Sequence, residues 1–333
     1  MKVLYIKPQS TDAAFHFSVE EYFMTVRFPP EEPIFMLWQA DKCAMLGSNQ
    51  VAQIEVDITY AKVNHIQITR RQSGGGTIYT DLGTLLYTLI LPEGDRDMAR
   101  KAVAEPIIRA LNKLNIPAKF EGRNDILVAG KKVSGIAQYA RGDRICTHGS
   151  LLYDTDLDML TRVLQVDEDK IRSKAIASVR SRVVNIREHM KPPLSIMEFW
   201  ALLEEKLREE WEMGEYRLTD ADMAGIDKIA REKYANPDWT HGRSPKFSFH
   251  NSKRFPAGKV ECFLDIVQGR IAACSIRGDF LGTIPISGLE QLLENQRFQY
   301  EAVEAAIRDM DLRPYLGDIT RAQFLSCIFG EAV

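Results

Sequence analysis

At 333 residues the chain is long for one domain, and two are expected. A 45% hydrophobic share beside 27% charged residues fits a soluble globular protein with a sizeable core, and a net charge of −3 without any sustained Lys/Arg run argues against a nucleic-acid partner. Five cysteines without a C-x-x-C pair imply neither a disulfide framework nor a zinc site, and no apolar run reaches the ~18 residues of a membrane span; a soluble, cytoplasmic protein without a secretory leader is expected.

Residues 1–6 are expected as a strand, and 11–26 as a helix with Phe15, Val19, Tyr22 and Phe23 on one side. Strands follow at 33–38 and 43–46. In Ile66–Arg70 the alternation sets Ile66, Ile68 and Arg70 on one face and Thr69 and Arg71 on the other, and the strand runs into Gly74-Gly75-Gly76. Leu85–Leu91 is almost continuously apolar, as in a strand covered on both faces. Val103, Ile107, Leu111 and Leu114 predict an amphipathic helix over 97–114, closed by Pro117. Strands at 126–129 and 132–139 flank a turn at Ala129-Gly130, and Leu151–Tyr153 is another strand candidate. Helices are predicted at 156–164, 195–210 and 219–234. The turn formers of 236–245 mark a domain boundary, beyond which a hairpin (259–267, 270–277) and helices near 287–295 and 299–310 make a small α+β unit.

Two segments carry the chemistry. The glycine run lets a ligand approach backbone N–H groups closely, with Arg70, Arg71 and Ser73 at its mouth and Asp81 beyond Thr77–Thr80. It is neither a G-x-x-x-x-G-K-[ST] loop nor a dinucleotide fingerprint; alone it reads better as a flexible connection, and the charged residues and hydroxyl at its root favour a ligand loop. In the second segment plain alternation sets Lys132, Ser134, Ile136 and Gln138 on one strand face and Lys131, Val133 and Gly135 on the other, so only one of the adjacent lysines enters a pocket. A lysine is wanted where a carboxylate attacks the α-phosphate of ATP: two anions meet, and one fixed donor there is worth about 2.7–4 kcal/mol. The alternative is a solvated hairpin lysine. Asn124-Asp125 opens this hairpin; Asp125 orients the lysine or holds magnesium on ATP, or the pair only caps a turn.

Taken together and in order, these blocks resemble the lipoate–protein ligase family of the biotin/lipoate ligase superfamily. Its R-R-x-S/T-G-G-G-x loop matches Arg70–Thr77, its G-R-N-D run Gly122–Asp125, its K-V/I-S-G block Lys132–Gly135 and its H-G-[TS]-L-L block His148–Leu152. The stretch K-x-x-x-S-V-R-S-R-V matches Lys174–Val183, and Ser18-Val19-Glu20-Glu21 and Gly47-x-Asn49-Gln50 also fit. The resemblance implies an α/β (α+β type) fold: a mixed-sheet catalytic domain over 1–246 and a small C-terminal α+β domain over 247–333. It implies a ligase that uses ATP and Mg2+ to activate lipoate as lipoyl-AMP, an acyl adenylate. The lipoyl group then passes to a lysine of lipoyl domains or of the glycine-cleavage H protein, a post-translational lipoylation carried out by a monomer that also meets octanoate.

By the same resemblance Lys132 is the catalytic lysine. Arg70, Ser73, Gly74, Gly75, Gly76, Thr77 and Asp81 serve the acyl chain and nucleotide, with Asn124, Asp125, Ser134, Gly135, His148 and Gly149 around them. Ser178, Val179 and Arg180 fold over the adenylate, and Asp125 holds magnesium through ATP. By strand facing, Ile66, Ile68, Phe35 and Tyr79 are expected to wall an apolar pocket, as an acyl chain ending in one carboxylate requires. The small domain is expected to swing when the adenylate forms.

The chain departs from the family at His16-Phe17-Ser18, where many relatives have Asn-Leu-Ala, and at Thr80 and Thr84, where H-D-L-G-N becomes T-D-L-G-T. Two rivals follow: an ATP-independent octanoyl- or lipoyltransferase using a cysteine, with Cys146 the only thiol near the matched blocks, and a non-catalytic paralogue that binds lipoate or a lipoyl protein.

Overall fold

The computed structural model describes residues 1–8, 10–26, 32–92, 94–164, 182–241, 249–267 and 269–329. Its centre is an eight-stranded mixed sheet in the order β11-β1-β2-β6-β10-β9-β8-β7, made of β1 (Lys2–Ile6), β2 (Ile34–Trp38), β6 (Thr84–Leu91), β7 (Ala118–Glu121), β8 (Asp125–Val128), β9 (Lys131–Arg141), β10 (Arg144–Leu152) and β11 (Glu212–Glu215). β1 runs parallel to β2 and β11, and the remaining pairs are antiparallel. A small sheet, β4-β3-β5, joins β3 (Cys43–Leu46), β4 (Gln67–Arg70) and β5 (Ile78–Thr80) beside it.

β6 is apolar throughout because both its faces are covered. Leu85, Tyr87 and Leu89 pack with Val103, Ile107 and Leu111 of α4 (Arg96–Lys113) and with Phe199, Leu203 and Leu207 of a helix over Ile196–Arg208, named α6 below. Leu86 and Ile90 meet Phe17, Val19 and Phe23 of α1 (Ala13–Thr25) and Ile226 of α7 (Asp220–Ile229) on the opposite side. The helix starts are set by side-chain caps: Asp12 accepts from the Ala14 N–H, and Ser195 with Glu198 forms a capping box. Short helices α2 (Ala52–Glu55), α3 (Ile58–Val63) and α5 (Leu157–Val163) flank the small sheet.

The C-terminal part holds three antiparallel strands rather than the expected two: β12 (Phe249–Phe255), β13 (Gly258–Val267) and β14 (Arg270–Gly278). Four helices follow, α9 (Ser287–Leu293), α10 (Tyr300–Ile307), α11 (Arg313–Leu316) and α12 (Arg321–Phe329), around a separate core that includes Val260, Leu264, Ile276, Leu293 and Phe324. The segment expected as a linker at 236–245 begins instead with a docked turn, α8 (Pro237–His241), whose Trp239 indole donates to the Arg70 carbonyl at 2.8 Å. The C-terminal unit reaches the two N-terminal sheets through residues 278–283: Gly278 N–H donates to Asn49 O at 2.9 Å, Gly75 N–H to Phe280 O at 3.1 Å and Ala140 N–H to Thr283 O at 2.6 Å. Among the described helices none is long and apolar enough to cross a membrane.

Candidate active site

A cavity of about 600 Å³ opens where the glycine loop, the β8–β9 hairpin and β10 converge. Phe17, Trp38, Met45 and Leu86 give it an apolar part, while Lys132, Asp125, Asn124 and Arg182 give it a polar one. Along β9 the two are about five residues apart, since Ala137 pairs with His148 and the Phe17 ring lies 6.2 Å from that imidazole. At ~3.3 Å per residue this is roughly 15 Å, room for a medium-length acyl chain beside an anion-binding group.

A β-bulge decides which lysine faces this cavity. Leu127 stands opposite Lys132, yet Ile126 stands opposite Ser134, so Val133 is the extra residue. The phase of the strand therefore reverses. Val133 and Ile136 both join the core under α4 and α6, and Lys132 comes to lie with Gly135 and Ala137 on the cavity side. This corrects the facing expected from sequence, which grouped the Lys132 and Ser134 side chains; Ser134 still borders the cavity, but its hydroxyl bonds the buried Tyr87 hydroxyl at 3.0 Å. Lys132 Nζ meets Asp125 Oδ1 at 2.8 Å, both side chains being partly exposed. A Cβ on Gly135 would fall 3.0 Å from that Nζ, so the bare backbone at 135 leaves the ammonium its place. Asn124 serves the turn: its Nδ2 donates to Ile136 O at 2.9 Å, while the residue also lines the cavity.

The two arginines divide differently from expectation. Arg70 is fully buried and outside the cavity lining. Its guanidinium donates to the carbonyls of Trp239 (2.9 Å), Thr240 (2.7 Å), Gly47 (2.8 Å) and Gln50 (2.7 Å), so it clamps two backbone segments, 47–50 and 239–240, rather than a ligand. Arg71, on the other face, does line the cavity. It donates to Met45 O at 2.8 Å, Gly74 O at 2.9 Å and Gly76 O at 2.7 Å, and burial pulls its pKa down to about 10.

Gly75, Gly76 and Thr77 line the cavity, as do Gly135, His148 and Gly149. Gly74 lies behind the loop, where a Cβ would stand 2.5 Å from Phe280 O. Ser73 is buried, its Oγ 2.6 Å from His148 Nε2. Asp81 sits apart from the lining: it accepts from the N–H groups of Gly83 and Asp156, both at 2.9 Å, and burial raises its pKa. Ser178, Val179 and Arg180 lie outside the described residues, although the end of their segment is tied down, Val184 N–H donating to Lys132 O at 3.1 Å. Of the expected wall residues Tyr79 lines the cavity; Phe35 faces the opposite core, and Ile66 and Ile68 belong to the small-sheet core.

Sequence reasoning missed Trp38, Phe17, Arg71 and Leu281 as lining residues. Trp38 stands in a strand buried at every position and Phe17 in a helix buried on nearly all sides, so their apolar character was visible but not the face that meets the cavity; Leu281 arrives from the C-terminal unit and carried no signal. His16 stacks on Trp38 with ring centroids 4.3 Å apart and donates to Ser10 O, and burial lowers its pKa to about 4. At the other departures, Thr84 Oγ1 pairs with Thr155 Oγ1 at 2.7 Å, and Thr80 is buried. Cys146 is fully buried and outside the lining, and burial raises its thiol pKa well above the usual value, the opposite of what a thiolate nucleophile needs.

Comparison with known proteins agrees along the chain. A family model described as the lipoyl protein ligase A/B catalytic domain matches residues 12–208, and one described as the bacterial lipoate protein ligase C-terminus matches 244–328. The chain is similar to lipoate-protein ligase LplJ of Bacillus subtilis, 37% identical over 332 residues, which covers 98% of this chain and 100% of that protein. Among solved structures it shares a fold with P. falciparum LipL1 in complex with lipoate (TM-score 0.75, 22% identity, 92% of this chain and 94% of that one). It is also similar to a lipoate-protein ligase A bound with ATP (TM-score 0.65, 26% identity, 73% and 99%).

Proposed function

The chain belongs to the lipoate–protein ligase family, and from that premise we propose how its cavity performs an ATP-dependent ligation in two steps. Lipoate lies with its chain against Trp38, Phe17 and Leu86 and its carboxylate toward Lys132. Burial of the chain contributes roughly 0.8 kcal/mol per methylene. A carboxylate oxygen attacks the α-phosphorus of ATP; the bond to the bridging oxygen breaks and pyrophosphate leaves. The Lys132 ammonium offsets the charge of the two anions as they meet. The neutral amine of a carrier lysine then attacks the acyl carbon, the acyl C–O bond breaks, AMP leaves and the nitrogen loses a proton. The carriers are lipoyl domains or the glycine-cleavage H protein.

The single observation that supports this assignment is the bulge that turns Lys132 into the cavity beside Asp125. Backbone groups of Gly75, Gly76, Gly135 and Gly149 border the space for the nucleotide, with Thr77, Asn124 and His148 at its edges. Asp125 has one oxygen on Lys132, which leaves the other for the magnesium ion that travels with ATP, in keeping with magnesium's use of one carboxylate plus substrate phosphates. Bound there, the ion would neutralise phosphate charge. Arg70, Ser73 and Gly74 act as the frame of the loop, and Ser178, Val179 and Arg180 are assigned to cover the adenylate. The catalytic domain is taken as 1–246 and the accessory domain as 247–333, in a cytoplasmic, monomeric enzyme.

The test is lipoate-dependent exchange of labelled pyrophosphate into ATP, followed by the mass of a lipoyl domain after incubation with and without ATP. Exchange that survives Cys146→Ala and is lost in Lys132→Ala is expected. Acyl transfer that needs Cys146 and no ATP would replace this assignment.

A further inference from the structure

Behind the cavity runs a continuous buried chain of hydrogen bonds that the reaction above does not use. The Trp38 indole N–H donates to Thr88 Oγ1 at 3.1 Å, and Thr88 donates to Glu20 Oε1 at 2.7 Å. His148 Nδ1 lies 3.0 Å from both oxygens of Glu20, and Ser73 Oγ lies 2.6 Å from His148 Nε2. Arg71 Nε donates to Ser73 Oγ at 2.9 Å. Glu20, Thr88 and Ser73 are buried and outside the cavity lining, whereas Trp38, His148 and Arg71 line it.

The two ends of this chain constrain the protons between them. Arg71 only donates, so the Ser73 oxygen accepts from it, and the buried hydroxyl hydrogen is satisfied when Nε2 accepts it. The Glu20 carboxylate only accepts, so Nδ1 carries the imidazole proton. Both conditions agree on one neutral tautomer of His148. Through that ring a carboxylate on α1 dictates the orientation of the hydroxyl that steadies Arg71, and Arg71 holds Gly74 and Gly76. The spacing resembles an acyl-transfer triad, but the Ser73 hydroxyl is shut away from the cavity, so it orients and does not attack.

We propose that Glu20 is a positioning residue for the ligation: through His148 and Ser73 it sets the glycine loop, and through Thr88 it sets Trp38. This rests on the assignment of the cavity made above. Glu20→Gln tests it at constant size. Both carboxylate oxygens lie 3.0 Å from Nδ1, so the amide sets an N–H2 against a nitrogen that now carries a proton and favours the tautomer with that proton on Nε2.

Side-chain 15N NMR, with His148 assigned by its loss in His148→Gln, reports the tautomer without any substrate. The wild type is expected as Nδ1–H and Glu20→Gln as Nε2–H. The kcat for pyrophosphate exchange falls by up to roughly 100-fold, the scale of an ångström-level misplacement, with KM for ATP little changed and partial recovery in Glu20→Asp. Should Glu20→Gln fail to fold, Ser73→Ala cuts the same chain without touching a buried charge and is expected to lower kcat in the same sense. Wild-type kcat and tautomer in Glu20→Gln overturn the proposal, as does an acyl-serine adduct on Ser73. A wild-type protein without exchange activity sinks the assigned function instead, and the tautomer measurement still decides the role of Glu20.

Discussion

The glycine loop and the lysine hairpin border the same cavity but are held in opposite ways. Around the loop, two buried arginines direct their donors at main-chain carbonyls, and Phe280 O accepts from Gly75 on its outer side. Among the described residues the hairpin lysine has one ion pair, 2.8 Å to Asp125, and is partly exposed. A backbone cradle must be rigid before the ligand arrives, because ordering it afterwards costs entropy. A charge that follows developing negative charge benefits from a short, displaceable partner. The site thus combines an over-determined wall with a lightly tethered cation.

The sharpest way to separate the two is Lys132→Ala. Adenylation is expected to fall by about 10²- to 10³-fold, with thermal unfolding unchanged; pyrophosphate exchange and calorimetry check both halves. Arg70→Ala should show the reverse emphasis. It leaves several buried carbonyls without donors, for a loss of roughly 3 kcal/mol in urea unfolding, and any activity lost should track the folded fraction. If the variant keeps its stability but loses ATP binding, Arg70 belongs to the ligand after all.

Gly135→Ala probes the tether itself. The added methyl meets only the far end of a flexible side chain, Nζ at 3.0 Å and Cε at 3.1 Å, so the lysine shifts while the strand stays. An activity loss of about tenfold at full stability is expected, smaller than that of deleting the amine.

The smallest effect concerns Glu55 of α2, near the C-terminal unit. Burial, with Asp279 and Glu261 adding to it and Lys259 and Arg254 opposing, raises its pKa to about 7. A carboxyl raised in the folded state favours its protonated form there, so its contribution to stability is present below about pH 4.5 and is lost as pH climbs toward 7. Glu55→Gln should flatten the stability curve over that window. An unchanged slope between pH 5 and 7 would show that another group sets it.

Much of the site was legible because its signals are local. The continuous apolar run of β6, the helix of Val103, Ile107 and Leu111, and the matched blocks around Lys132 and His148 each sit within a few residues of chain. Arg70 was misread because the four carbonyls that hold it come from residues 47–50 and 239–240, and no spacing near position 70 records them. Glu20 stood only within the matched Ser18–Glu21 block with no role attached, because the His148 that meets it lies 128 residues away.

By itself, then, the sequence determined the family, the elements with strong periodicity and the residue types of the site, since each depends on neighbours along the chain. Tertiary structure alone decided the phase of β9. Alternation extrapolates a regular strand, whereas the bulge at Val133 exists only because β8 pairs Ile126 with Ser134 and Leu127 with Lys132. It also decided which arginine faces the cavity, which acid lies behind the loop, and that Leu281 borders the cavity from far along the chain. Those choices turn on where hydrogen-bond donors find acceptors across long sequence separations, and a buried donor takes the partner that folding brings to it.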